Sequence, residues 1–247
     1  MALPGEFENE NLKKGEISPM NLIEEAVEAG KSALNENEAK RFLAGFGVPV
    51  SRETLVADAD GAVKAALEIG YPVVLKAAGE KLQHKTEVGG IALNLKSEGE
   101  VREQAKRLLA IPGCEALLVQ EMVKGDRELV CGLTRDVQFG PCVMFGLGGI
   151  FTELIDDVAF RVAPVTKAEA LVMMDDIRMA KVLKPFRGQP AVDREALARI
   201  IVALGKIGSE CGNVREIDMN PIKIRPDGSP VAVDALVALR KTAAAHS

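Results

Sequence analysis

The sequence predicts an α/β protein in which helices cover one or more sheets. Apolar runs of strand length alternate along the chain with capped segments whose apolar residues recur at helical spacing. The 247 residues, 47% of them hydrophobic, are enough to build one large domain or two smaller lobes with cores. If the chain forms two lobes, we expect the hinge near residues 121–125.

Capping residues predict where the helices begin. After a polar tail over residues 1–17, Ser18 and Pro19 open a first helix that ends at Gly30, and Asn35 with Glu38 forms a capping box for a second. Four more helices are expected after N-capping side chains that precede apolar residues at helical spacing, namely Asp58, Ser97, Thr166 and Asp193.

Six apolar runs predict strands, because each has strand length and is bounded by charged residues, Gly or Pro. They cover residues 71–76, 91–95, 116–122, 128–133, 141–145 and 158–162.

The segment 214–234 predicts a β-hairpin around the turn Pro-Asp-Gly at 226–228. Every second side chain of a strand points to the same face, so Glu216, Asp218 and Asn220 share one face. Two carboxylates and an amide therefore stand in a row along the first strand.

The length of the turn decides which residue faces this row. A three-residue loop pairs Arg225 with Ser229 and places Asp234 opposite Asn220, whereas a two-residue loop would turn Asp234 to the other face. With the longer loop the face collects only oxygen donors, which suit a hard cation such as Mg²⁺ that keeps waters and substrate phosphates as further ligands. The same residues also fit a solvated polar face on an edge strand.

Two neighbouring segments carry candidate anion contacts. Lys76 ends a buried apolar strand, where its ammonium needs a counter-charge such as a phosphate, or simply leaves the sheet for water. The loop 77–90 contains His84 and glycines, and cationic glycine loops often cover phosphates. If the chain carries phosphate on a histidine, His84 is the plausible carrier, because the other histidine, His246, is the penultimate residue.

The strand ends near the predicted hinge offer candidate nucleotide contacts. The carboxylates of Glu121 and Glu128, with the backbone of Met122 and Val123, could bind an adenine amine and ribose hydroxyls, or they are ordinary strand-end residues.

A second glycine-rich segment spans residues 144–153. It is not a dinucleotide-binding fingerprint, because Phe151 stands where that motif requires glycine and no helix follows. Its amides or Glu153 could lie near an anion or metal. Arg161 and Arg187 are further candidate anion contacts, or else members of surface pairs.

Composition argues against several classes of partner. A net charge of -5 with one Tyr and no Trp makes nucleic acid an unlikely partner. With no apolar run of 18 residues and no signal peptide we expect a cytoplasmic protein without membrane contact. The four cysteines lack metal-ligand spacing and are expected to be buried and reduced.

Several of these motifs together resemble one family. The chain resembles the ATP-grasp domain of nucleoside-diphosphate-forming acyl-CoA synthetases, most of all the beta subunit of the ADP-forming acetate type, with the succinyl-CoA synthetase beta subunit more distant. The resemblance covers residues 35–239 and is carried by Lys76, HKTEVGG at 84–90, QEMV at 120–123, FGLGGIFTE at 145–153, and DMNP at 218–221 followed by Asp234.

The resemblance implies an ATP-grasp fold with the nucleotide between two subdomains. The expected division is an extension over 1–34, lobes over 35–120 and 121–240, and a tail over 241–247. ATP or ADP and Mg²⁺ are the implied cofactors. Compared with the succinyl-CoA synthetase beta subunit, we expect this chain to be without the C-terminal domain of that subunit and without a CoA-binding domain.

The resemblance also implies a role for each candidate residue. Lys76 would contact the phosphates; Glu121, Met122, Val123 and Glu128 would hold adenine and ribose; Asn220 and Asp234 would bind Mg²⁺, with Asp218 near the transferred phosphoryl group. His84 would take phosphate from a histidine of a partner alpha subunit and deliver it to ADP.

An α2β2 assembly is expected, in which the alpha subunit performs the acyl and CoA chemistry. Two alternatives stay open, a free-standing ATP-grasp ligase that joins an acid to an amine, and a nucleotide-sensing subunit without catalysis.

Overall fold

The computed structural model of the chain describes residues 18–79, 88–149 and 157–240. They form two antiparallel sheets with helices packed against them, in agreement with the predicted fold class. Within these ranges, the helices are too short or too polar to cross a lipid bilayer.

The larger sheet has seven strands. Their bounds are β1 (Ala33–Leu34), β6 (Glu128–Asp136), β7 (Gly140–Leu147), β8 (Val158–Val162), β9 (Val214–Ile224), β10 (Pro230–Ala232) and β11 (Leu236–Leu239). The strand order is β1-β11-β9-β6-β7-β8, and β10 also pairs with β9. The long strand β9 therefore lies in the middle of the sheet and carries the predicted row of oxygen donors.

The smaller sheet has four strands in the order β2-β5-β3-β4. Their bounds are β2 (Glu53–Val56), β3 (Val73–Ala78), β4 (Ile91–Leu95) and β5 (Ala116–Glu121). Leu55, Leu118, Lys76 and Ile91 are aligned in one row across the four strands. Lys76 thus lies on an inner strand of the small sheet and not at its edge.

The helices begin at the predicted caps. They are α1 (Pro19–Glu28), α2 (Glu36–Gly45), α3 (Ala59–Ile69), α4 (Glu98–Leu109), α5 (Lys167–Asp176) and α6 (Arg194–Glu210), with a 3₁₀ turn at Ala180–Leu183. In each helix the side chain of the expected N-cap accepts a hydrogen bond from a backbone N–H of the first turn. The capping box of Asn35 and Glu38 is also present.

The six predicted strands are confirmed to within three residues at either end, but three strands were missed. β1, β2 and β11 have only two to four residues, so their periodicity is short. Both central residues of β2 are exposed, so it lacks the alternating burial that marks a strand in sequence.

Two hydrophobic cores correspond to the two sheets. α3 and α4 pack on the small sheet, whereas α1, α2, α5 and α6 contribute to the core of the large sheet. The buried side chains from Leu22 to Val48 thus belong to the large core, so the chain crosses to the small sheet only before β2. The packing therefore differs from the predicted boundary at residue 34, because the apolar faces of α1 and α2 are both buried on the large sheet.

Candidate functional site

The hairpin has the predicted register. The backbone N–H of Arg225 donates to the carbonyl of Ser229 over 2.9 Å, and Gly228 has the left-handed φ of 90° that the three-residue turn requires. The pairs Ile222–Ala232 and Asp218–Leu236 lie on either side of Asn220 and Asp234 in one unbroken register. Asp234, in a break between β10 and β11, therefore faces Asn220.

A cavity of about 910 Å³ lies between the two sheets and contains this part of the hairpin. Asp218, Asn220 and Asp234 line its large-sheet side, and Lys76 lines its small-sheet side. The rest of its wall includes residues 29–38, which lead into α2. The structure thus brings together four of the nine predicted site residues.

Lys76 is buried, and its ammonium is paired with the carboxylate of Glu36. Its side chain is 10% exposed, and its Nζ donates to Glu36 Oε1 over 2.5 Å and to the carbonyl of Val233 over 3.3 Å. Burial alone would lower the pKa of Lys76, but Glu36 and Asp234 outweigh it and hold that pKa above its usual value. The ammonium is therefore charged and lies beside the part of the hairpin that is predicted to bind metal.

The cavity carries more negative than positive charge. Burial raises the pKa of Asp218, and Asp234 raises it further. Burial likewise raises the pKa of Asp234, against an opposing effect of Lys76. Carboxylates that resist ionisation for these reasons favour a bound cation.

The donor set fits Mg²⁺ because it consists of two carboxylates and one amide. In the part of the chain that the structure describes, no three His, Cys, Asp or Glu side chains are placed to hold a metal. A bound ion would therefore also depend on the Asn220 amide and on oxygens from waters or a nucleotide.

The glycine-rich loop after β7 contacts the predicted metal ligand. The backbone N–H of Gly149 donates to Asn220 Oδ1 over 2.9 Å, which orients the amide. A Cβ at this position, where φ is +63°, would lie 2.1 Å from Glu128 Oε2. The left-handed φ favours glycine here, and a side chain would also displace the Glu128 carboxylate, which pairs with Lys223 over 3.0 Å.

The residues of the predicted hinge do not line the cavity and form hydrogen bonds with other parts of the chain. Glu121 accepts hydrogen bonds from the guanidinium of Arg225 and from the Arg52 amide, each over 2.8 Å. Burial would raise the pKa of Glu121, but these hydrogen bonds hold it below its usual value. The Glu121 carboxylate thus joins the hairpin turn to β5, and its contact with a ligand stays a prediction.

Met122 and Val123 follow in the same segment. The Met122 amide donates to the carbonyl of Pro72 over 3.1 Å, and the Val123 side chain is buried. Like Glu121 and Glu128, both lie outside the cavity lining among the residues that the structure describes. Contact of this segment with adenine stays a prediction.

Other candidates are placed away from the cavity or are not covered. Arg161 pairs with Asp176, and Arg187 stacks on the Phe186 ring at 5.1 Å, so both make surface contacts. Glu216 shares the strand face but does not line the cavity. His84 and Glu153 lie outside the described residues.

A buried polar network behind Lys76 was not foreseen. Lys40, 1% exposed, donates to Glu36 over 3.0 Å, to Ser51 over 3.2 Å and to Glu53 over 2.6 Å. Gln120 joins Ser51 to the carbonyl of Val233 over 2.6 and 2.8 Å. The spacing Glu36–Lys40, i and i+4 at a capped helix start, was the available signal.

The chain has two lobes with a cavity between them. A lysine on a strand of one lobe and a hairpin of oxygen donors on the other line this cavity. This arrangement is typical of a nucleotide-binding class of protein. A family model described as an ATP-grasp domain matches residues 25–239, and the chain belongs to this family.

Within the family the chain is similar to beta subunits of ADP-forming acetate–CoA ligases. It is 41% identical over 224 residues to the beta subunit of acetate–CoA ligase [ADP-forming] I of Pyrococcus furiosus, a match that covers 88% of this chain and 96% of that one.

Solved structures with similar sequences share the fold of this chain. "Dinucleotide forming Acetyl-coenzyme A synthetase 1" of Ca. Korarchaeum cryptofilum, with coenzyme A and Ca-AMPCP, is 42% identical with a TM-score of 0.85, covering 90% of this chain and 100% of that chain. A second structure of it holds Mg-AMPPCP and has its phosphohistidine segment pointing towards the nucleotide binding site (TM-score 0.81, 42% identity, the same coverage).

Proposed function

We propose that the chain is the nucleotide-binding beta subunit of an ADP-forming acyl-CoA synthetase. In this role it transfers phosphate reversibly between a phosphohistidine and ADP. The observation that carries the proposal is the meeting of Lys76 with Asp218, Asn220 and Asp234 in one cavity between the two sheets. The similarity to ligase beta subunits over nearly their whole length supports it.

Each cavity residue has a proposed task. Lys76 neutralises the nucleotide phosphates, and Asn220 and Asp234 hold Mg²⁺. Bound Mg²⁺ would neutralise charge on the phosphate oxygens, which phosphoryl transfer needs more than covalent chemistry. Asp218 lies on the same face and would approach the phosphoryl group. Residues 121–123 and Glu128 are proposed to hold adenine and ribose.

His84 is proposed as the phosphate carrier of this chain. A neutral imidazole is nucleophilic near neutral pH and can accept a phosphoryl group, which divides one transfer into two. In the forward step the N–P bond of phosphohistidine breaks while a terminal oxygen of ADP forms the new O–P bond. The imidazole returns to its neutral form with a proton from solvent.

The acyl and CoA chemistry is assigned to a partner alpha subunit in an α2β2 complex. Together they would convert acyl-CoA, ADP and phosphate into carboxylate, CoA and ATP. The acyl pocket is assigned to the same partner. A cytoplasmic location is part of the same proposal.

The test is ATP formation by the complex reconstituted with the alpha subunit. We expect His84→Ala to reduce ATP synthesis at least a hundredfold, because the covalent carrier is lost, while Mg-nucleotide binding survives. His246→Ala, which changes the only other histidine, is the matched control and should retain activity.

Three results would contradict the proposal. Full activity of His84→Ala would remove that residue from the mechanism. Turnover by the isolated chain with an acid and an amine would identify a free-standing ligase. Tight binding of nucleotide, without transfer of label from γ-labelled ATP or turnover in the complex, would identify a sensing subunit.

A further inference from the structure

One carboxylate connects the phosphate-facing lysine to the protein core. Glu36 is the first residue of α2, and its side chain is only 8% exposed. Its Oε1 accepts hydrogen bonds from both Lys40 and Lys76, over 3.0 and 2.5 Å. Glu36 also lines the cavity that holds Asp234.

Lys40 anchors this carboxylate. Its ammonium has three donors, and all three are satisfied by Glu36, Ser51 and Glu53. A buried ammonium with all its donors engaged cannot shift without losing charge-assisted hydrogen bonds. Glu36 is therefore held in place before any nucleotide binds.

Lys76, unlike Lys40, would be free to move if Glu36 did not hold it. A lysine ammonium stands on a flexible four-carbon stem, which loses rotamer entropy when it is ordered. In the structure Glu36 holds its Nζ within 3.3 Å of the carbonyl of Val233, the residue before Asp234. The contact thus sets where the ammonium lies relative to the hairpin.

The contact also crosses between the two halves of the molecule. α2 packs on the large sheet through Ala39, Phe42 and Leu43, whereas Lys76 belongs to the small sheet. Glu36 therefore fixes a group of one lobe against the metal-binding hairpin of the other.

We propose that Glu36 is a positioning residue for phosphoryl transfer: anchored by Lys40, it holds the Lys76 ammonium where the nucleotide phosphates meet Asp234. This inference rests on the proposed nucleotide site but adds a residue outside the motifs that indicated it. Glu36 acts through Lys76 and need not touch the nucleotide.

A double-mutant cycle tests the inference on the full chain without any partner subunit. The readout is the dissociation constant of the Mg²⁺ complex of a non-hydrolysable ATP analogue. We expect Glu36→Gln to weaken binding roughly tenfold, the effect of one misplaced charge-assisted hydrogen bond. In the Lys76→Met background, Glu36→Gln should change binding less than twofold, because the group that it positions is gone.

Controls separate positioning from a merely structural role. Glu68→Gln makes the same chemical change on the exposed surface of α3 and should leave binding unchanged in both backgrounds. If Glu36→Gln does not fold, Glu36→Asp, which keeps the charge but withdraws it by one methylene, replaces it in the cycle with a smaller expected loss.

Two outcomes would overturn the inference. Equal losses in both backgrounds would show that Glu36 acts independently of Lys76, and tighter binding in Glu36→Gln would make Glu36 a competitor of the phosphates. Because the cycle measures binding alone, it stands apart from ATP synthesis by the reconstituted complex. Failure of that synthesis would reject the proposed function, and the effect of Glu36 on nucleotide binding could still be measured.

Discussion

Several residues of the cavity lower the stability of the fold and also form the proposed binding site. Burial and neighbouring carboxylates raise the pKa values of Asp218 and Asp234, and Lys76 is a buried ammonium. Such groups oppose folding unless they are paired, so their concentration at one place indicates a site that binds a charged ligand. The network of Lys40, Glu53 and Gln120 compensates part of the cost by satisfying the polar atoms behind them.

A pH-dependent gain in stability follows for Asp218→Asn. Because the pKa of Asp218 is raised in the folded chain, ionisation at neutral pH destabilises the fold relative to the unfolded chain. The unliganded variant should therefore unfold at a higher temperature than the parent at pH 7. The gain should shrink as the pH falls towards about 4, where the aspartate of both states becomes protonated.

Thermal unfolding followed by circular dichroism over this pH range measures the effect. A midpoint at pH 7 equal to or below that of the parent would contradict the assignment of Asp218 to a charge-repelling pocket. ATP synthesis by the same variant should fall, as expected when stability and activity conflict at a site.

Among the secondary-structure elements, α6 shows how a helix is fitted to its sheet. It is the longest helix among the described residues, and Gly205 and Gly208 face its neighbours inside the core. A Cβ at Gly205 would lie 2.9 Å from the Val165 amide nitrogen, and one at Gly208 would lie 2.8 Å from Leu133 Cδ1. Gly205 therefore permits a close approach of the helix to backbone, whereas at Gly208 the nearest atom is the end of a leucine side chain.

This close approach reverses the usual effect of replacing glycine in a helix. Gly99→Ala in α4 meets no atom within 4 Å and should raise the free energy of unfolding by up to about 1 kcal/mol. Gly205→Ala should lower it by roughly 1–3 kcal/mol, because the new methyl group meets backbone. Urea unfolding of the two variants is the measurement, and a gain in both would show that α6 can move away from its neighbours.

In the whole molecule, the two cores are joined by polar contacts, one of which lines the cavity. Pairs from Lys40 to Glu53, from Lys76 to Glu36 and from Arg225 to Glu121 all connect elements of different sheets. Ligands that bind at such a junction contact both halves at once. Nucleotide binding should therefore stabilise the complete fold and not one lobe alone.

We expect Mg-ADP to raise the unfolding midpoint in a single cooperative transition. At a hundred times the dissociation constant the gain is about 2.7 kcal/mol, or roughly 5–10 °C for a chain of this size. Asp234→Ala should abolish most of the shift, and EDTA should do the same to the parent chain. A full shift in the presence of EDTA would show that the nucleotide binds without the ion.

Local sequence signals were sufficient for most of the elements and for the hairpin. The caps at Asn35 and Asp193, and the turn at 226–228, specify backbone geometry within a few residues, because their hydrogen bonds are made to near neighbours in the chain. For that reason the sequence alone predicts the register that places Asp234 opposite Asn220, and the structure confirms it.

The partners of these residues could only come from tertiary packing. Glu36 and Lys76 are forty residues apart, Glu121 and Arg225 are 104 apart, and nothing in the periodicity of either segment pairs them. Likewise, α1 and α2 joined the large sheet because their apolar faces are buried there, although they precede the small sheet in the chain. Short-range hydrogen bonds determine elements and registers, whereas burial and charge pairing between distant segments decide which elements form the site.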